Sequence, residues 1–74
     1  MTGKELRQAL RVEIRRCRGY LKKVDRPESE REKFTVALMR AEVKMAVDLY
    51  NNKNSSEGRM YSILSKLRGY TFES

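Results

Sequence analysis

Apolar residues recur along the first third of the chain at steps of three and four: Leu6, Leu10, Ile14, Cys17, Leu21 and Val24. At about 100° per residue this spacing confines all six to one stripe of a helix. Thr2, followed three residues later by Glu5, has the form of a capping box, in which the threonine oxygen accepts from a free backbone N–H of the first turn. Arg26 precedes Pro27, and a residue before proline is disfavoured in the helical region. These signals predict a first helix over about 3–24.

The second helix is predicted over about 28–51. It starts with Pro27 at its first position or with Ser29 and Glu32 as a second capping box, and Glu28, Glu30 and Glu32 complement the positive end of its dipole. Two apolar faces result. Phe34, Ala37, Leu38, Ala41, Met45 and Leu49 fall on one, and Val36, Met39, Val43, Ala46, Val47 and Tyr50 on the other.

The run Asn51-Asn52-Lys53-Asn54-Ser55-Ser56 is polar and ends that helix, with Asn54 and Glu57 spaced to cap a third. Met60, Ile63, Leu64 and Leu67 give the third helix, about 56–68, its inward stripe. Gly69 is expected as a left-handed stop, with Tyr70 folding back on the last turn.

Short connections join antiparallel neighbours, so the expected architecture is all-α: one domain over residues 1–74, a small three-helix bundle of hairpin type. A central helix apolar on both sides needs cover on both. The expectation is therefore a homo-oligomer, a symmetric dimer with Val36, Met39, Val43, Val47 and Tyr50 at its interface.

Charge adds a function to this frame. Lys4, Arg7, Arg11, Arg15, Arg18 and Lys22 follow steps of 3, 4, 4, 3 and 4, forming a cationic stripe beside the apolar one, with Glu5 and Glu13 outside it. Residues 1–24 hold eight Lys/Arg against two acids, net +6 of the chain's +7. Arginine suits phosphate because its planar fork donates two parallel hydrogen bonds and stays charged at any relevant pH. Six phosphate contacts correspond to a log–log salt slope near about −5. Two Arg-Gly-Tyr triplets make Tyr20 and Tyr70 candidates for stacking on unpaired bases. Gly19 inside the first helix marks a kink or a close helix contact.

Other chemistry is not expected. With no histidine, the chain lacks the usual general base near neutral pH and the commonest metal ligand, so neither an enzyme, a metal site nor a cofactor is expected. Cys17, the single cysteine, lies on the core stripe as inert packing. No disulfide within the chain is possible, and with no apolar leader or spanning run the expected location is cytoplasmic. The first helix has the apolar and basic stripes of a membrane-surface helix, but it lacks Trp and Phe, and its apolar stripe is needed for the core.

The segment Arg-Glu-Lys-Phe-Thr-Val-Ala-Leu-Met-Arg-Ala-Glu-Val-Lys-Met, residues 31–45, resembles the second hairpin helix of phage proteins that sequester cyclic-nucleotide signals. The likeness covers a fifth of the chain and carries no binding residue over. The leading expectation is an accessory or regulatory protein of the phage or plasmid kind, binding DNA or RNA through the stripe of the first helix. The alternatives are a module docking on an acidic protein surface and an oligomer sequestering a small anionic nucleotide.

Overall fold

A computed structural model describes residues 2–24 and 26–71. Three helices follow in order: α1 Gly3–Lys23, α2 Glu30–Asn51 and α3 Glu57–Arg68. Each packs against both others, giving a small all-α bundle without strands among the described residues. Among the described residues no helix is long and apolar enough to cross a membrane.

Each start is capped by a hydroxyl. Thr2 Oγ1 accepts from Glu5 N at 3.2 Å and Ser29 Oγ from Glu32 N at 3.1 Å. Pro27 thus lies ahead of α2, and the Glu32 carboxylate reaches back to Glu28 N rather than to the cap residue's own N–H. Ser56 caps α3, accepting from Arg59 N at 3.2 Å. Asn54, expected in that role, instead donates its N–H to Asn52 Oδ1 in a local turn. Gly69 closes α3 with φ −70°, in the right-handed region, so the expected left-handed stop is not formed. Its N–H donates to Ser65 O and Lys66 O, continuing the helical pattern for one more residue.

The core interleaves one stripe from each helix. Leu6, Leu10, Ile14 and Cys17 come from α1, Met39, Val43 and Ala46 from α2, and Met60, Ile63, Leu64 and Leu67 from α3. Val36 is also buried, and Val47 and Tyr50 pack half-buried against the same cluster. Of the residues expected to form an oligomer interface, Met39, Val43, Val47 and Tyr50 therefore lie against this chain's own core, and Val36 is buried. The face carrying Met39, Val43 and Ala46 packs between two helices, while Phe34 on the other face is left 70% exposed. Burial raises the Cys17 thiol pKa against the opposing pull of Arg16.

Glu42 is the one buried charged residue among the described residues. Tyr70 folds back from beyond α3 and donates its hydroxyl to Glu42 Oε1, giving the carboxylate a partner inside the bundle. Burial, then the bond to Glu42, raises the Tyr70 pKa well above the usual phenol value. A raised folded-state pKa means this stabilisation is complete below the unfolded value, near pH 10, and fades as pH rises toward the folded one. Tyr70→Phe, which leaves a buried carboxylate short of a donor, is expected to lower stability by about 1–3 kcal/mol. Urea titrations at neutral pH and above pH 10 check both points: the parent loses stability in the alkaline range, and the difference from Tyr70→Phe narrows.

Candidate functional site

The polar side of α1 divides into cations that hold the bundle together and cations that face solvent. Arg7 crosses to the end of α2, where its two terminal nitrogens donate to Tyr50 O and to Asn52 O, the latter at 3.0 Å. Its guanidinium carbon lies 6.0 Å from the centre of the Tyr50 ring. The last turn of α2 contains no basic residue of its own. Arg7 thus brings a positive charge from another helix to carbonyls that have no partner in α2 and carry the negative end of its dipole.

Arg16 does the same for α3. Its Nη1 donates to Tyr70 O and its Nη2 to Leu67 O, both at 2.9 Å, while its Nε pairs with Glu13 at 3.2 Å. Arg16 lies off the stripe identified from sequence, and nothing in the spacing of α1 signals its role. The partner that makes it structural is a backbone carbonyl more than fifty positions away.

Lys4, Arg11, Arg15, Arg18 and Lys22 remain, all exposed, and none takes part in an ion pair among the described residues. Arg7 leaves the expected set because both of its terminal nitrogens are engaged. The other five rise along one side of α1, and four of them, Arg11, Arg15, Arg18 and Lys22, line an open groove of about 650 Å³ between α1 and the end of α2. Ile14 and Gly19 complete the α1 side, and Val47, Tyr50 and Asn51 form the opposite wall. No carboxylate among the described residues lines it. The site thus combines four cations, a partly apolar surface and one aromatic side chain.

The expected stacking residues stand elsewhere. Tyr20 packs half-buried against the core, and Tyr70 is tied to Glu42. Tyr50, expected at an oligomer interface, is the aromatic at the groove. It was hidden because its periodicity is that of a core residue, and only the tertiary fold brings its ring beside Arg7. No group of three or more Cys, Asp or Glu among the described residues is placed to hold a metal ion.

Gly19 is one of the residues that line the groove. A Cβ built on it meets nothing within 4 Å, so neither the expected close helix contact nor any other packing constraint calls for glycine there. Its φ is not positive, so the backbone does not require it either. The missing side chain leaves the helix backbone open between Arg15, Arg18 and Lys22.

No protein-family model, curated protein or solved structure matches the chain.

Because Gly19 occupies an ordinary helical position in open space, Gly19→Ala is expected to raise stability by about 0.5–1 kcal/mol. A rise in the urea midpoint at unchanged slope checks this. A fall would reveal a contact that requires glycine.

Proposed function

We propose that the protein is a nucleic-acid-binding accessory or regulatory protein that holds phosphate backbone along α1. The observation that carries this reading is the five-cation stripe itself: one sign, exposed and without carboxylate partners among the described residues. Lys4 to Lys22 spans 18 residues, about 27 Å at 1.5 Å per residue, long enough to meet several phosphates along a groove or single strand.

The distribution of polar groups favours backbone recognition. Arginine and lysine predominate on the stripe, whereas the side chains that read base edges in pairs, Asn and Gln, contribute Gln8 and Asn51 near its flanks. The linker between α2 and α3 is longer than the turn of a DNA-reading helix-turn-helix, and α3 carries only Arg59, Lys66 and Arg68 as cations. Tyr50 and the apolar groove surface add a place for an unpaired base, so single-stranded RNA or DNA fits the groove better than a closed duplex.

Fluorescence anisotropy with labelled single strands and duplexes across a salt series tests this. Five phosphate contacts predict a log–log slope near about −3.5 for single strands and −4.5 for duplex. Arg11→Gln, Arg15→Gln and Arg18→Gln combined should flatten that slope by about 2–3 and abolish measurable binding at physiological salt, with the circular dichroism of the fold retained. Absence of binding at low salt would contradict the proposal and turn attention to an acidic protein surface for the same stripe.

A further inference from the structure

The outward side of α2 repeats in heptads. Arg31, Phe34, Leu38, Ala41, Met45 and Asp48 are separated by steps of 3, 4, 3, 4 and 3, the spacing of a coiled-coil seam. All six are exposed, and Phe34, Met45 and Leu38 leave 70%, 55% and 43% of their surface to solvent. The opposite side of α2 is engaged with α1 and α3. An apolar seam with a cation at one end and an acid at the other has the form of a surface that meets itself.

We propose that two copies of the chain pair through this seam, α2 against α2, antiparallel about a twofold axis passing between Leu38 and Ala41. In that register Phe34 meets the partner's Met45, an aromatic against a thioether, and Leu38 meets the partner's Ala41, large against small. Arg31 faces the partner's Asp48. Beside the seam, Ala37 lies within one turn of the axis, where its small exposed side chain leaves room for the partner helix.

The twofold produces each of the three seam pairs twice. Charge decides the direction of the pairing. A parallel dimer in register sets Arg31 against the partner's Arg31 and Asp48 against the partner's Asp48, so both ends repel. The antiparallel arrangement turns both ends into attractive pairs. The seam lies apart from the cationic stripe, so this inference stands independently of the nucleic-acid reading.

Sedimentation velocity of the full chain, from micromolar to millimolar concentration, should show a particle of twice 8.7 kDa. Arg31→Asp and Asp48→Arg should each weaken association about tenfold or more, and the two together should restore it, since the reversed pair is again opposite in sign. Ala37→Arg, an exposed helix-compatible change beside the axis, should give a monomer with unchanged circular dichroism. Any one of three results would overturn the proposal: a monomer at every concentration, a dimer indifferent to Ala37→Arg, or single charge reversals that the double variant does not rescue.

Discussion

The bundle depends on two arginines of α1 that donate into the C-terminal ends of the other two helices. A helix end leaves carbonyls without intrahelical partners and concentrates the negative end of the dipole there. Arg7 meets that end on α2 and Arg16 meets it on α3. Nine residues separate them along α1, about 13 Å of rise, so together they set how far α2 and α3 slide along α1. Apolar stripes hold helices together but tolerate axial slippage. Directional charge-assisted bonds at both ends do not.

The same arrangement determines what α1 has left for a ligand. Arg7, on the stripe, is consumed by the α2 end, and Arg16 by the α3 end. Arg11, Arg15 and Arg18 face the end of α2 across an open groove without an ion pair among the described residues, and they stay exposed. The groove beside them is a product of this register: placing the α2 end opposite Arg7 also brings Tyr50 and Asn51 across from the open cations. The buried Glu42 and Tyr70 pair serves a similar purpose at the other end, holding the residues after α3 where Arg16 can reach Tyr70 O.

The fold was legible wherever local chemistry determined it. Three apolar stripes at helical spacing, hydroxyl caps at Thr2 and Ser29, and the Arg26-Pro27 stop are short-range signals. The two apolar faces of α2 were equally plain, but not which one turns inward. That choice rests on shape: Val36, Met39, Val43 and Ala46 fit between two helices, whereas Phe34 sits near the open start of α2. Loop detail was less legible, since Asn54 and Ser56 are both competent caps and only the chain's path selects between them. Of the cationic stripe, sequence showed position but not engagement. An arginine that caps a distant helix looks the same in sequence as one that faces water.

The most direct test of the division between clamping and open arginines is a set of four single glutamine variants, Arg7, Arg16, Arg11 and Arg15, unfolded by urea at low and moderate salt. Loss of a charge-assisted bond to a helix end is expected to lower stability by about 1–2 kcal/mol for Arg7→Gln and Arg16→Gln. Arg11→Gln and Arg15→Gln should leave it unchanged within about 0.5 kcal/mol or raise it slightly by relieving repulsion on the stripe. Equal losses at all four positions, or none at Arg7 and Arg16, would contradict the account.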